Sequence, residues 1–447
     1  MKTYERATLY AFSLLCIYFF FGAIKDIIAN TFFQRMVGSY KILLPLTVLI
    51  IVLLAVLIRK IKSPLTRANR FIRVLLIICL ALEAGGAIYN VSINKERQRD
   101  LGDIDHELIA QVSIADTVQR PTIVWIVMDE YSGNSGLKKK WNFDNPVNDM
   151  LRNKGFFVSD SAYSPYNYTH YSLASTLDMS YMRELKNHSI ITYRDIVRGN
   201  IALQETNVLK LLEGEGYDIY NYTIYNVKGH PTRAHEYFID ADFKLIDNQT
   251  LSGRIRQDIG WNFRNFFSGS RHAADSANHA QGILAEARYR SDLITENIGA
   301  VRKAAASNRP SFLMFHYMLT HEPFIYKTDD SLDLSAGFGM YPDRYITSIN
   351  RANKALSNLI DSVQSIYEGK NLVIILQGDH GYKFDEADPL FEQESCSTLY
   401  SVYCSDLNYR GFRNSFNSVN GFRVLFNKYF HTNLPIQENR SINLYYR

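Results

Sequence analysis

The N-terminal part of the chain contains three long apolar runs. Ala7–Ile24 and Ile42–Ile58 carry no charged residue, and Val74–Ile88 carries a single one, Glu83. Each run is close to the roughly 17–25 residues that cross the hydrocarbon core of a bilayer once its flanks are included. A cleaved signal peptide would not account for three successive runs, and no small-residue cleavage site follows the first. We therefore predict a membrane domain of three transmembrane helices in residues 1–90.

Basic residues orient these predicted helices. The segment Arg59–Arg73, between the second and third runs, holds six Lys or Arg residues and no acidic one. By the positive-inside rule this loop is cytoplasmic, and Lys2 and Arg6 place the N-terminus on the same side. Three spans then carry the chain after about Tyr89 across the plasma (inner) membrane, to the periplasm or the cell exterior. The net charge of +4 owes most to this loop, and no basic–aromatic stripe indicates nucleic-acid binding.

Glu83 is the one acid inside a predicted span. An acid in such a place is costly and is a functional candidate by default. Gly85 and Gly86 lie beside it and indicate a close helix contact instead. We favour that interpretation, with the carboxyl group protonated or directed toward the membrane surface.

The pattern changes beyond the spans. Residues 91–119 are polar, charged and poorly periodic, which predicts a linker. Beyond Pro121, buried strand-like runs alternate with helical ones. The predicted strands are Thr122–Met128, Gly155–Ser159, Tyr217–Thr223, Ser311–Met318 and Leu372–Leu376, and the predicted helices are Asn145–Asn153, Val208–Leu212 and Tyr345–Tyr367. This alternation predicts an α/β domain over residues 120–447, with a mostly parallel central sheet flanked by helices. The polar, helical stretch Ala241–Ala305 has no assigned place in it.

Acidic and imidazole groups follow two predicted strands directly. Asp379 and His380 come after the apolar run Leu372–Leu376 and a Gln-Gly pair, and Asp129 and Glu130 follow the first strand. Ligands and catalytic groups gather beyond the carboxyl ends of parallel strands. Carboxylate oxygen and imidazole nitrogen together suit a divalent cation. Each segment alone could be a turn, but two such strand ends in one sheet favour a metal site.

A threonine at a helix start is a further candidate. Within Ser164–Ser175, Thr169 lies where a loop enters a short predicted helix, whose free N–H groups and dipole favour an anion. A hydroxyl group in that position is more commonly only a helix cap.

Four motifs occur in order along the chain. They are Met128-Asp129, Thr169-x-x-Ser172-Leu173-Ala174-Ser175, Phe315-His316-x4-His321-Glu322-Pro323-Phe324 and Gln377-Gly378-Asp379-His380-Gly381. With the closing stretch Ser418–Asn427, they resemble the sulfatase-like branch of the alkaline phosphatase superfamily. Within that branch they resemble the catalytic domains of the membrane-anchored lipoteichoic acid synthases and phosphoethanolamine transferases. The resemblance covers about Thr122 to the C-terminus.

The resemblance implies one divalent metal ion, Zn or Mn, held by Asp129, Thr169, Asp379 and His380. Thr169 would be both ligand and nucleophile, because coordination activates a hydroxyl group that is otherwise a poor nucleophile. Attack would leave an ester on Thr169. Glu130 could replace Asp129 as a ligand or support it.

Two histidines between these motifs are candidates for handling the leaving group. His321 could protonate the leaving oxygen or bind the anion. His316 could do so instead, although a core histidine within its strand is the stronger interpretation.

Departures from the sulfatases narrow the chemistry. Formylglycine sulfatases need Cys-x-Pro-x-Arg or Ser-x-Pro-x-Arg at the nucleophile, and neither occurs here. Thr169 stands there instead, as in phosphodiesterases and in the phosphoglycerol and phosphoethanolamine transferases. The Asp-x-x-x-His run Asp275–His279 resembles a ligand pair for a second metal but is more simply a solvated helix face. Cys396 and Cys404, eight positions apart in a polar, Tyr-rich loop, could form a disulfide in an oxidising compartment.

These features predict a membrane-anchored, metal-dependent enzyme that transfers a phospho-group to a cell-envelope glycan or lipid through a covalent threonine intermediate. Its location in the bilayer suits a phospholipid or surface-glycan substrate. Hydrolysis of sulfate or phosphate esters is an alternative. A non-catalytic surface protein that retains the fold is another, which the intact ligand and nucleophile positions disfavour.

Overall fold

The computed structural model describes residues 2–29, 40–101, 119–182, 185–191, 193–234, 249–254, 271–307, 309–337, 342–382 and 386–446. The chain forms two compact units. The first contains Met1–Arg97 and Ile239–Ala277, and the second contains Gln98–Phe238 and Asn278–Arg447.

The first unit contains three long helices, α1 (Lys2–Ala29), α2 (Tyr40–Lys60) and α3 (Thr66–Leu101). Segments of two of them, Tyr4–Lys25 and Ile42–Lys60, are long and apolar enough to cross a membrane. The third predicted span lies inside α3, which does not pass the same test over its described residues, so that span stays a prediction. Since α3 continues to Leu101, it also extends into the segment predicted as a linker, and residues 102–118 lie outside the described ones.

The start of α1 contacts the loop between α2 and α3. The Arg6 guanidinium donates to the carbonyl of Ile61 (2.7 Å), and Glu5 accepts a hydrogen bond from the backbone N–H of Leu65 (2.9 Å). The Asn69 amide donates to the Glu5 carbonyl (3.0 Å). The N-terminus and the basic loop therefore lie at the same end of the helix pair, as the charge pattern predicts.

The second unit is an α/β domain. In chain order its elements are β1 (Thr122–Met128), α4 (Asn134–Trp141), α5 (Val147–Asn153), β2 (Phe157–Val158), β3 (Ser161–Tyr163), α6 (Thr169–Asp178), β4 (Ser189–Ile191), α7 (Tyr193–Gln204), α8 (Asn207–Gly214), β5 (Asp218–Tyr222), α9 (Arg271–Ala305), β6 (Ser311–Tyr317), α10 (Pro342–Ile366), β7 (Leu372–Gly378), α11 (Phe391–Glu394), β8 (Tyr400–Cys404), β9 (Ser415–Asn417), a 3-10 turn (Ser418–Asn420), α12 (Gly421–Tyr429) and β10 (Leu444–Tyr446).

Six strands form the central sheet in the order β2-β8-β7-β1-β6-β5. Strands β7, β1, β6 and β5 are parallel, whereas β8 is antiparallel to β7 and β2 to β8. The predicted fold class is confirmed. In the register of the sheet, Met128 lies opposite both Gly378 and Tyr317. The residues that follow these three strands therefore begin neighbouring loops at one edge of the sheet.

Hydrophobic clusters cover both faces of this sheet. Trp125 and Val127 of β1 belong to one cluster, and Val124 and Ile126 belong to the other. The first cluster also contains residues of α6, α8 and α12, such as Leu173, Leu209 and Phe426, and the second contains residues of α5, α9 and α10, such as Leu151, Val301 and Leu359. Burial on both faces explains why β1 and β7 are continuously apolar instead of alternating.

The structure corrects two local predictions. The segment Cys396–Cys404, predicted as a polar loop, ends in strand β8, where Tyr400, Val402 and Cys404 are buried. Both cysteines are free, so the disulfide that the sequence allowed is not formed. Burial raises the pKa of the Cys396 thiol to about 12, and its Sγ lies 3.4 Å from the Asn443 side-chain oxygen.

Candidate active site

Two buried carboxylates meet at the carboxyl edge of the sheet. Asp129 follows β1 and Asp379 follows β7, and the two side chains, with His316 of β6, each bring one possible ligand atom within 4.8 Å of the others. Oδ1 of Asp129 and Oδ2 of Asp379 are buried and accept no hydrogen bond from the described residues. Buried carboxylate oxygens without donors are costly unless a cation or a proton lies between them. The pair therefore fits a bound cation.

Close backbone packing explains the two glycines beside Asp379 and His380. A Cβ atom at Gly378 would lie 2.0 Å from the Thr398 hydroxyl oxygen, and one at Gly381 would lie 2.3 Å from the Glu394 carbonyl oxygen. Both positions exclude a side chain. The Gly-Asp-His-Gly segment at the end of β7 is thus a tight turn that packs closely against the residues before β8.

Glu130 occupies a left-handed backbone conformation, with φ of 58°. Its N–H donates to Asp379 Oδ1 (2.8 Å), which also accepts the N–H of His380 (2.9 Å). The Tyr345 hydroxyl group donates to the Glu130 carbonyl (2.8 Å). A strained backbone position at such a site persists only where its surroundings hold it. Here the strained turn fixes the orientation of the Asp379 carboxylate.

His316 is fully buried on β6, and its Nε2 lies 2.9 Å from Asp129 Oδ2. The sequence favoured a core histidine at this position, and the side chain is indeed in the core. Its hydrogen bond to Asp129 goes beyond that interpretation, because it holds one oxygen of this carboxylate in place. The signal in the sequence was a histidine near the end of a mostly apolar strand, where a buried polar side chain needs a partner.

Thr169 is the first residue of α6, as predicted, and its hydroxyl oxygen lies 3.3 Å from His380 Nε2. That nitrogen is 3.4 Å from Asp379 Oδ2. Nδ1 of His380 lies 2.6 Å from the carbonyl of Gly381 and can only donate there, so Nε2 of the neutral ring presents its lone pair to the site. The Ser172 hydroxyl group donates to the Asp379 carbonyl, which joins the first turn of α6 to the loop after β7.

His321 lies at the open side of this group of residues. Its Nε2 is 3.9 Å from Asp129 Oδ1 and 3.9 Å from Glu130 Oε2, and its side chain is 31% exposed. Nδ1 donates to the carbonyl of Glu322 (2.8 Å). The Thr320 hydroxyl group donates to the Asp129 carbonyl and so ties this loop to the end of β1.

The carboxylates and imidazoles shift one another's pKa values. Burial opposes ionisation of Asp129, but three surrounding histidines outweigh it and hold its pKa well below the usual range. Burial and the charge on Asp129 raise the pKa of Asp379. For His321 and His380, burial opposes the charged form, yet the neighbouring carboxylates outweigh it and raise the pKa of each ring. The carboxylates of this site thus favour positive charge on the groups around them.

All the principal predicted site residues, Asp129, Thr169, Asp379, His380 and His321, lie at this one edge. His170 was not singled out from the sequence, although burial there lowers its pKa to about 4 and keeps its ring neutral. Asp275 and His279 belong to α9, but their side chains lie outside the described part of the chain.

Comparison with known proteins supplies a family. The sulfatase family model matches residues 121–431, from the start of β1 to just beyond α12. No curated protein sequence matches the chain. Among solved structures, it is similar to the C-terminal periplasmic domain of EcEptC from Escherichia coli in complex with Zn (11% identity, 74% of this chain and 91% of that chain, TM-score 0.41). It is also similar to the C-terminal periplasmic domain of phosphoethanolamine transferase EptC from Campylobacter jejuni (11% identity, 72% and 92%, TM-score 0.39). A third is the lipooligosaccharide phosphoethanolamine transferase A from Neisseria meningitidis (13% identity, 91% and 78%, TM-score 0.40).

Proposed function

This chain belongs to the sulfatase family, within the alkaline phosphatase superfamily, and we propose that it is a membrane-anchored, metal-dependent phosphotransferase that uses Thr169 as its nucleophile. One observation carries the proposal. Two buried carboxylate oxygens without hydrogen-bond donors, one each from Asp129 and Asp379, lie together at the site of the Thr169 hydroxyl group and His380 Nε2.

Asp129, Asp379, His380 and Thr169 would hold one divalent cation. Carboxylate oxygen and imidazole nitrogen suit both Zn and Mn, so the ligand types do not choose between them. Such a cation activates a hydroxyl group and neutralises charge on the oxygens of a phospho-group. His316 would orient the Asp129 carboxylate through its hydrogen bond, in the way that outer partners commonly hold metal ligands.

Each protein group of the site has its own role in the proposed transfer. The Thr169 oxygen, whose proton would go to solvent as the site takes up the cation, attacks phosphorus, and the bond from phosphorus to the leaving oxygen breaks. His321, at the open side, donates a proton to that oxygen. The positive end of the α6 helix dipole, at Thr169, stabilises a non-bridging oxygen of the phospho-group. An acceptor hydroxyl group next attacks phosphorus and gives its proton to the now neutral His321. The bond from phosphorus to the Thr169 oxygen breaks, which restores both groups.

Hydrolysis is the second candidate activity, because water can release the same ester from Thr169. His321 is partly exposed, so solvent water can also reach the site. A phosphate or sulfate ester would then be the substrate and inorganic anion the product.

The location of the domain depends on the number of spans. With the N-terminus inside, two spans would return the chain to the cytoplasm, whereas three would carry it outside. Large apolar side chains on α3 are strongly exposed, among them Ile77 at 64%, Leu80 at 71% and Leu82 at 70%. An exposed apolar surface of this kind fits a lipid environment. We infer a third span at Val74–Ile88 and a domain outside the plasma membrane, where a lipid-borne donor or surface glycan is within reach.

A cysteine-labelling experiment tests this topology. The exposed residue Asp144 of the α/β domain and the exposed Lys62 of the basic loop are each replaced by Cys, in a chain whose four native cysteines are Ser or Ala. A membrane-impermeant maleimide should label D144C in intact cells and K62C only after lysis. Labelling of both only after lysis would refute the third span.

The activity is tested with the purified full chain in detergent or nanodiscs. Incubation with labelled phospholipid and surface polysaccharide should move the label to the polysaccharide, pass through a labelled Thr169, and stop with a chelator. T169A should lose at least a thousandfold of the rate, in the range seen when a nucleophile is removed. Thr347, on α10 outside the site, gives the matched control T347A, which should keep full activity. Undiminished activity of T169A, or no metal bound to the wild type, would refute the proposal.

A further inference from the structure

A cavity of about 260 Å³ lies between α9, α10 and the loop that follows β6. Three cationic side chains line it, Arg290 from α9 and Arg351 and Lys354 from α10. Two serines, Ser291 and Ser348, line the same space. Among the described residues, no carboxylate lines this cavity. Its donors are of the kind that bind oxyanions.

The ion pairs around the cavity leave donors available. Nε of the buried Arg290 donates to Glu286 (2.6 Å), and neither of its terminal nitrogens has a hydrogen bond to another residue in the described ranges. Asp330 binds Arg351 (2.8 Å) and lies 3.9 Å from the Lys354 ammonium group. Two carboxylates therefore face three cations, and one positive charge remains. The Arg351 guanidinium is further held by stacking 3.4 Å from the ring centroid of Tyr326.

Two elements connect this cavity to the active site. Leu319 lines the cavity and is two positions before His321, in the loop that Thr320 ties to the Asp129 carbonyl. On α10, the Tyr345 hydroxyl group donates to the Glu130 carbonyl. Since an α-helix rises about 1.5 Å per residue, Ser348 lies one turn further along α10, about 4.5 Å from Tyr345 along the helix axis. The cavity thus borders the loop that carries His321 and the helix that holds the turn at Glu130.

From this geometry we infer that the cavity is a subsite for a second anionic group of the substrate, a phosphate, sulfate or carboxylate that is not the one transferred. The inference rests on the proposed phosphotransfer at Thr169. It narrows the substrate to one that carries two anionic groups, with the second placed beyond the reacting one on the side of the Leu319–His321 loop. A free inorganic oxyanion has the same chemistry and is the alternative source.

Two synthetic substrates separate these possibilities. Both are nitrophenyl phosphodiesters of glycerol, and one carries an additional phosphate on the glycerol. The full-length wild type should prefer the doubly anionic ester by about tenfold in kcat/KM, the usual scale for one charge-assisted contact. K354Q should reduce this ratio about threefold, and R290Q should abolish it. Lys303, an exposed residue of α9 outside the cavity, gives the control K303Q, which should keep the ratio.

Each outcome has a distinct meaning. A wild-type ratio near one, or a ratio unchanged in K354Q and R290Q, would overturn the subsite. Lys354 is 76% exposed, so K354Q tests the inference even where R290Q fails to fold. Calorimetric binding of inorganic phosphate that depends on Lys354, together with an unchanged ester ratio, would assign the cavity to a free anion and also overturn it. Failure of the proposed function is different, because neither ester would then be turned over, or T169A would turn over both. The calorimetric arm still tests the cavity in that case, since phosphate binding indifferent to both variants refutes an oxyanion site.

Discussion

Replacing Asp379 by asparagine is expected to stabilise the protein freed of metal and to weaken its binding of metal. Oδ1 of Asp379 accepts two backbone hydrogen bonds, from Glu130 and His380, and an asparagine oxygen can accept both. Oδ2 has no donor and is buried beside Asp129. In D379N an amide NH2 group replaces Oδ2. The repulsion between two carboxylates is removed, and the amide can donate a hydrogen bond to Asp129.

The size of the effect follows from the separation of the charges. Two unit charges within 4.8 Å of one another repel by about 3 kcal/mol at an effective dielectric constant of 20. Because burial and Asp129 already raise the pKa of Asp379, part of this repulsion is relieved by protonation. A gain of about 1–3 kcal/mol in the free energy of unfolding is therefore expected. For the wild type, a metal at one hundred times its Kd adds about 2.7 kcal/mol, and D379N should lose most of that gain.

Thermal unfolding of the full chain, once with a chelator and once with Zn or Mn, measures both effects. D379N should melt several degrees above the wild type in chelator and show a much smaller shift with metal. Asp178, at the far end of α6, supplies the matched control, because it is also a buried carboxyl group and accepts the N–H of Asn207 (3.1 Å). D178N should keep the full metal-dependent shift. A D379N protein that melts lower in chelator, or that keeps the full shift, would refute the reasoning.

Three further predictions follow from other contacts. Burial raises the pKa of Asp178 to about 7 from an ordinary value of 3.8. Between these two pH values the folded state holds a proton that the unfolded state releases, so the free energy of unfolding should fall as the pH rises from about 4 to 7. Urea unfolding of D178N across that range should lack this fall. H316L should weaken metal affinity about 10–100-fold in a chelator competition, since leucine has no donor and Asp129 loses its orienting hydrogen bond, and unchanged affinity would contradict that role. G378A should lower the melting temperature strongly, because its Cβ would lie 2.0 Å from a threonine hydroxyl oxygen, whereas G282A on α9, with nothing within 4 Å, should match or exceed the wild type.

The central strands of the sheet could be predicted because strands buried on both faces have continuously apolar sequences. Thr122–Met128 is correct to the residue, and the run at Leu372 is a strand that continues to Gly378. The antiparallel edge of the sheet was predicted only in part, because Gly155–Ser159 contains β2 but β8 was predicted as a loop. Strand β2 is only Phe157–Val158 and pairs with β8, which comes more than two hundred residues later and is rich in tyrosine. Local sequence carries no sign of such a distant antiparallel partner.

The candidate site was also predictable only in part. Asp129 and Asp379 were predictable, because a parallel sheet brings strand ends together wherever they occur in the sequence. The contact between His316 and Asp129 was not, since it depends on the register of β6 against β1. The left-handed backbone of Glu130 was hidden too, because a glutamate gives no local signal for that conformation.

Rigid elements, not free loops, set the distance between the active site and the cation-lined cavity. Tyr345 holds the strained turn at Glu130 from α10, and the same helix carries Ser348, Arg351 and Lys354 into the cavity. Fixed placement on a helix defines a distance more sharply than a loop does. The fixed positions of Thr169 and α10 would therefore select substrates by the distance between their two anionic groups. An anionic group at the wrong spacing would leave buried donors such as Arg290 without an acceptor. Such a mismatch is what gives a polar site its selectivity, because the unpaired group costs more than the paired one contributes.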